Sequence, residues 1–273
     1  VATSPAIKLN DGRSIPQLGF GVYQTSPGEQ AQNAVREALK VGYRHIDTAQ
    51  FYRNEKDVGE AVRSSGLKRD EVFVTTKIAN PNQGLEKTKF SLDKSLQQAG
   101  FDFFDLVLVH FPVTGKRLDT WRALIEMKKE GKAESIGVSN FTVRHLEELL
   151  AASDVVPAVN QVEFNPFCHQ RELLVFCEKH GIKIQAYAPL TQGQRLAHPA
   201  ITAVATKLKR TPGQVMLRWA VQHGLVVLPK SVTPSRIAEN AAIFDFEIPA
   251  SDMQALDALD ENLRTCWDPS DVP

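Results

Sequence analysis

The sequence predicts an α/β fold, a closed (β/α)8 TIM barrel with an amino-terminal β-hairpin and extra helices. Two observations lead there. Short β-rich runs alternate with amphipathic stretches almost to the end of the chain, in eight strand-helix units. Parallel strands joined by helical crossovers are what such alternation demands. The length of 273 residues also suits one closed barrel, which fills about 250. No composition shift or Pro-, Gly- or Ser-rich linker divides the chain, so residues 1–273 read as one barrel domain.

The elements follow in order. Ile7–Leu9, the turn Asn10-Asp11-Gly12 and Ser14–Ile15 read as the hairpin, because Asp-Gly suits a tight turn needing positive φ. A first barrel strand lies near Gln17–Gly21. Helix Gln30–Lys40 follows, with Ala31, Ala34, Val35, Ala38 and Leu39 at helical spacing. Strand two is Tyr43–Ile46, and its helix Glu55–Ser65 stops at Gly66. Strand three, Val72–Thr76, leads to helix Leu85–Ala99, which ends before Gly100. Strand four, Phe104–Val109, is nearly all apolar, as a strand buried on both faces should be. Helix Leu118–Glu130 presents Trp121, Leu124, Ile125 and Met127 before Gly131. Strands Ser135–Val138 and Ala158–Val162 precede helices Thr142–Ala151 and Gln170–His180. Strand seven, Ile182–Tyr187, is followed by two helices, Pro199–Leu208 and Thr211–His223. Strand eight is Leu225–Leu228, with helices Pro234–Phe244 and Ala250–Leu259 and an irregular tail after it.

An open doubly wound sheet is the competing architecture. Gly19-Phe20-Gly21-Val22-Tyr23-Gln24 starts like a dinucleotide fingerprint, but Gln24 replaces its third glycine and no helix opens there. There is no Walker loop or H-E-x-x-H, and Gly137-Val138-Ser139-Asn140-Phe141 lacks the last glycine of a nucleophile elbow.

Charge narrows the partners. Thirty-two basic side chains balance 32 acidic ones, which argues against nonspecific binding to nucleic acid or to anionic membrane. No apolar run approaches the roughly 18 residues that span a bilayer. Val1–Pro5 carries no charged-then-apolar signal segment. Three cysteines, Cys168, Cys177 and Cys266, with no C-x-x-C pair, speak against a disulfide framework or structural zinc. A reducing, cytoplasmic setting is the expectation.

In such a barrel the side chains after each strand meet on one face. Here they are Tyr23, Asp47, Tyr52, Lys77, His110, Ser139-Asn140, Gln161, Tyr187 and Lys230-Ser231. Singly each has a plain structural reading: Asp47 as a helix cap, Lys77 in water, His110 hydrogen-bonded in the core. Four titratable groups reaching one rim from three consecutive units point instead to a site.

Gly42-Tyr43-Arg44-His45-Ile46-Asp47-Thr48-Ala49 with Tyr52, Thr76-Lys77 and Leu108-Val109-His110 resemble signature blocks of the aldo-keto reductase family. Ile136–Phe141 and Pro229-Lys230-Ser231-Val232 resemble two more, and the resemblance runs in order from Ile7 to Leu259. Within the family the chain is most similar to the microbial 2,5-diketogluconate and methylglyoxal reductases. The resemblance implies NADPH-dependent reduction of aldehydes and ketones, with Asp47, Tyr52, Lys77 and His110 as the catalytic residues and no metal. A free tyrosine, of pKa about 10, is a feeble acid at neutral pH. Lys77 is expected to lower that pKa, Asp47 to keep Lys77 charged, and His110 to hydrogen-bond the carbonyl oxygen.

By position the resemblance also assigns the cofactor side. Ser139, Asn140 and Gln161 face the nicotinamide carboxamide, and Tyr187 lies beneath the ring. Pro189 and Leu190 follow the pyrophosphate, with Gly21 and Val22 on the same side. Lys230, Ser231 and Arg236 surround the 2′-phosphate at a helix amino terminus, a sensible anion site, with Val232 also on the cofactor side. Glu239 and Asn240 face adenine. Tyr23, Phe51, Phe111 and Trp267 are expected to wall the substrate pocket, with Ala79 at its edge. Many relatives have Trp where this chain has Ala79 and Phe111, which implies a wider mouth. The partner is then a small carbonyl compound, and the state a monomer by analogy. Two other readings explain part of the pattern. One is an NADPH-binding but non-catalytic member; the other is a Schiff-base aldolase at Lys77, which leaves the Lys230–Asn240 block without purpose.

Overall fold

The chain enters through a hairpin, β1 (Ala6–Lys8) against β2 (Ser14–Pro16), paired Ile7 to Ile15. Its connection is the expected turn Asn10-Asp11-Gly12. Gly12 N–H donates to Leu9 O and Leu9 N–H to Arg13 O, and Gly12 alone takes positive φ, at 87°. That is a three-residue loop closed by one left-handed glycine. The hairpin carries Leu9 and Ile15 into an apolar cluster with Leu106, Leu108, Val159 and Val226, so it plugs the amino-terminal end of the barrel. These features belong to a computed structural model that describes residues 4–273; of the segment Val1–Pro5 read above, Val1–Thr3 lie outside it.

Eight parallel strands make the wall: β3 (Phe20–Gly21), β4 (His45–Asp47), β5 (Phe73–Ile78), β6 (Phe104–Val109), β7 (Ala133–Ser139), β8 (Val159–Glu163), β9 (Lys183–Tyr187) and β10 (Val226–Val227). Each pairs with the next. The ring shuts where Leu18 pairs in parallel with Val227, Gly19 N–H donates to Val227 O, and Gly21 N–H donates to Pro229 O. The predicted (β/α)8 barrel is therefore the observed one. Of the sequence-read strand Gln17–Gly21 only Phe20 and Gly21 pair with β4, while Gln17–Gly19 pair on the other side, Val227 N–H donating to Gln17 O and Leu18 bridging Val227.

Helices α1 (Glu29–Val41), α2 (Glu55–Arg63), α3 (Leu85–Ala99), α4 (Arg117–Lys129), α5 (Val143–Ala152) and α6 (Arg171–Lys179) make the crossovers from β3 to β9. Two helices, α7 (Pro199–Leu208) and α8 (Pro212–Gln222), separate β9 from β10, and α9 (Pro234–Ala241) and α10 (Ala250–Asp257) follow. α9 stops three residues before the expected Phe244, because Ala242 leaves helical geometry with ψ 63°. No helix among the described residues is long and apolar enough to cross a membrane.

The ring of helices packs closely at one point. A Cβ on Gly59 of α2 would lie 2.0 Å from Ala99 O at the end of α3. Gly59→Ala must force the two helices apart, a strain of about 1–3 kcal/mol. Urea unfolding should show that loss as a lower midpoint with an unchanged slope. A midpoint within error of the parent would show that this contact carries no stability.

Candidate active site

Lys77, near the end of β5, is fully buried. Its Nζ lies 2.5 Å from Asp47 Oδ1, 2.9 Å from Thr48 O and 3.3 Å from the Tyr52 hydroxyl. Strand register makes this possible, since β4 ends at Asp47 directly beside β5. The second Asp47 oxygen accepts from Gln161 Nε2 at 2.8 Å, and that amide also donates to Gln185 Oε1. Burial pushes the Lys77 pKa down, and Asp47 opposes the push.

Tyr52 closes a short 3-10 turn, Gln50–Tyr52, after which Arg53 takes the left-handed region with φ 59°. The buried Asn54 holds that turn in place. Its Oδ1 accepts from Thr48 Oγ1 at 2.7 Å, and its Nδ2 donates to Val22 O and Thr25 O. Tyr52 thereby packs 5.1 Å from the Tyr23 ring and 5.8 Å from the His110 ring. Its pKa moves opposite to the sequence-based expectation. Burial, followed by the Asp47 carboxylate, raises it well above the ordinary phenol value. The Lys77 charge does not reverse this, because Asp47 neutralises it at contact distance. The His110 pKa falls to about 3, through burial first and the Lys77 charge second, so its ring is neutral.

A network behind the rim fixes these groups. Asn140 donates to His110 O at 3.0 Å and accepts from the Tyr187 hydroxyl at 2.7 Å. Asn140 sits at φ 62°, a region that asparagine tolerates. Ser139 Oγ donates to Gln161 O at 2.8 Å. Gln161 Oε1 has no hydrogen-bond partner among the described residues.

Above this floor lies a cleft of about 920 Å³. Asp47, Tyr52 and His110 border it at one end, and Ser139, Asn140, Gln161, Tyr187, Pro189 and Leu190 along its length. Gly21 borders it beside Asp47, its partner across β3 and β4, and Lys230, Ser231, Val232, Arg236, Glu239 and Asn240 complete the lining. Lys230 and Arg236 make no ion pair among the described residues, and both flank the start of α9. Two free cations beside helix amides would hold an anion. Glu239 is tied to Thr211, whose hydroxyl donates to it at 2.8 Å.

Not every expected residue reaches the cleft. Lys77 lies beneath the floor. Val22 is buried behind the wall, its N–H donating to Asp47 O. Tyr23 and Trp267 line the cleft, while Phe51 and Phe111 reach it through Trp267, at ring distances of 5.4 and 6.0 Å. Ala79 does not line it, because its N–H is drawn to Gln50 Oε1 at 2.9 Å and the residue is buried. The sequence reading also missed Gln192 and the segment Thr211–Gly213, which form part of the wall. Thr211-Pro212 followed by Gln214 is a helix-start pattern, the one available signal for that segment.

The model of the aldo/keto reductase family matches residues 17–261. The chain is 46% identical over 266 residues to the glyoxal reductase of Bacillus subtilis, across 97% of this chain and 96% of that protein. The crystal structure of an aldo/keto reductase from Brucella melitensis is similar with TM-score 0.92 at 47% identity, covering 94% of this chain and 100% of that one. That of an aldo-keto reductase from Bombyx mori in complex with NADP has TM-score 0.92 at 34% identity, covering 97% and 96%.

The buried imidazoles set an acid limit. His45, fully buried in β4, has its pKa lowered to about 4, and His110 to about 3, from 6.5. An unfolded chain takes up these protons near pH 6.5, whereas the folded one resists, so their contribution to stability is whole above pH 6.5 and falls as pH drops toward 4. The melting temperature should decline across that window, and His110→Gln should decline less steeply. An identical slope in the variant would contradict this assignment.

Proposed function

The chain belongs to the aldo/keto reductase family, and from that premise we propose that it reduces aldehydes and ketones, small dicarbonyls among them, to alcohols with NADPH. One observation carries the reading: a buried ammonium touches both Asp47 and the Tyr52 hydroxyl, at the floor of a cleft whose lining includes two cations, Lys230 and Arg236, without an ion-pair partner among the described residues. The residues present fit the dinucleotide. Gln161 Oε1 is a free acceptor for a carboxamide, flanked by Ser139 and Asn140, and the Tyr187 ring borders the same stretch. Pro189 and Leu190 follow, then Lys230, Ser231 and Arg236 for a 2′-phosphate with Val232 beside them, and Glu239 and Asn240 for adenine. Gly21 faces it directly, and Val22 contributes only from behind.

When bound, the cofactor supplies the hydride. The chain's own residues manage the proton. Tyr52 stays protonated at neutral pH and donates to the carbonyl oxygen as negative charge grows there. An alkoxide is a far stronger base than a phenolate, so a raised phenol pKa does not stop the transfer. Lys77 then hydrogen-bonds the phenolate that results, and Asp47 keeps Lys77 charged in a dry site. Neutral His110 offers a ring N–H to the same oxygen. Tyr23 and Trp267 wall the substrate, with Phe51 and Phe111 packed against Trp267.

Methylglyoxal with NADPH, followed by the near-ultraviolet absorbance of the dihydronicotinamide, tests this. Turnover should occur, and Tyr52→Phe should lower kcat by about 10²–10⁴. Tight NADPH binding without turnover on a broad carbonyl panel would instead make this a non-catalytic member. Arg236→Ala should weaken NADPH binding by about 1.5–3 kcal/mol while barely touching NADH. Equal losses would remove the 2′-phosphate assignment.

A further inference from the structure

One buried carboxylate is absent from this mechanism. Glu163, the last residue of β8, is fully buried and has no cation within ion-pair distance among the described residues. Its charge is met by three donors from the carboxyl-terminal tail. Oε1 accepts from Thr265 N–H at 2.9 Å and from Thr265 Oγ1 at 2.5 Å, and Oε2 accepts from Cys266 N–H at 3.1 Å. From the loop after β9, Gln192 Nε2 grips the same point, donating to Thr265 O at 2.8 Å and to Cys266 Sγ at 3.1 Å. The next residue is Trp267.

Trp267 packs over the reacting end of the cleft, 5.7 Å from His110 and 5.4 Å from Phe51 between ring centres. Beyond it the tail is anchored again. His145 Nε2 lies 2.9 Å from Val272 O, and Arg117 donates to Pro273 O at 2.6 Å. Trp267 is thus a plate stretched between two anchors, yet 41% of it is exposed.

We propose that Glu163 is a positioning residue for substrate selection, fixing Trp267 as the wall against which an aromatic or bulky apolar carbonyl compound packs. This rests on the carbonyl-reductase reading. A carboxylate suits the task because it only accepts, and all three tail groups only need to donate to it. A glutamine has one acceptor oxygen and would set its NH2 against a backbone N–H. The clasp then opens without any change at Asp47, Tyr52, Lys77 or His110.

Phenylglyoxal and methylglyoxal present the same reacting dicarbonyl and differ in the ring. In Glu163→Gln the KM for phenylglyoxal should rise about tenfold, with kcat within about twofold and methylglyoxal kcat/KM nearly unchanged. Trp267→Ala should reproduce the rise, and the double variant should add nothing to it. Thr265→Val, which removes one donor of three, should fall between parent and Glu163→Gln. Fluorescence gives a readout that needs no turnover. Trp121 and Trp219 are buried, so acrylamide quenching reports on Trp267 and should strengthen in Glu163→Gln. Equal losses on both substrates, or quenching unchanged from the parent, would overturn the proposal. If the parent reduces neither substrate, the function above fails, and quenching still decides whether Glu163 places Trp267.

Discussion

An ammonium and a carboxylate held in contact inside the barrel, Lys77 on Asp47, constrain everything around them. Taking both charges out of water costs several kcal/mol per ion, and the interior recovers it only with good geometry and further hydrogen bonds. The surroundings supply these: Thr48 O and the Tyr52 hydroxyl for the ammonium, Gln161 for the free carboxylate oxygen. Gln161 is in turn tied to Gln185 and, through its carbonyl, to Ser139. Residues from five strands are thus committed to one pair, and their placement fixes the floor of the cleft.

The pair also explains why Tyr52 differs from the simplest sequence argument. A lone lysine beside a phenol would make it more acidic. A lysine already neutralised at 2.5 Å leaves burial and the carboxylate to act on the phenol, and both favour the protonated form. The phenol at the floor of the cleft is therefore held in its protonated form. His110 is neutral for the same reason of burial.

Much of this was legible in the chain. Period-two and period-3.6 patterns located the eight strands and the helices, because burial on two faces or on one stripe leaves a direct imprint on residue order. Asp47, Lys77 and His110 could be placed on one rim because each follows or ends a strand. What was not legible depended on partners distant in sequence. Ala79 turns away from the cleft because Gln50 captures its amide. Glu163 looks like an ordinary strand end until Thr265 and Cys266, more than a hundred positions later, arrive to use it. Val22 follows a cleft residue by one position, and a strand end sends neighbours to opposite sides.

The closure of the ring has a consequence of its own. The first and last strands of the wall are two residues each, joined by a handful of main-chain bonds around Leu18 and Val227. That seam is short. Gly21 on one lip and Lys230 on the other both face the cleft, so a molecule lodged between them acts as a bolt across the joint, and the hoop and its cargo tighten each other.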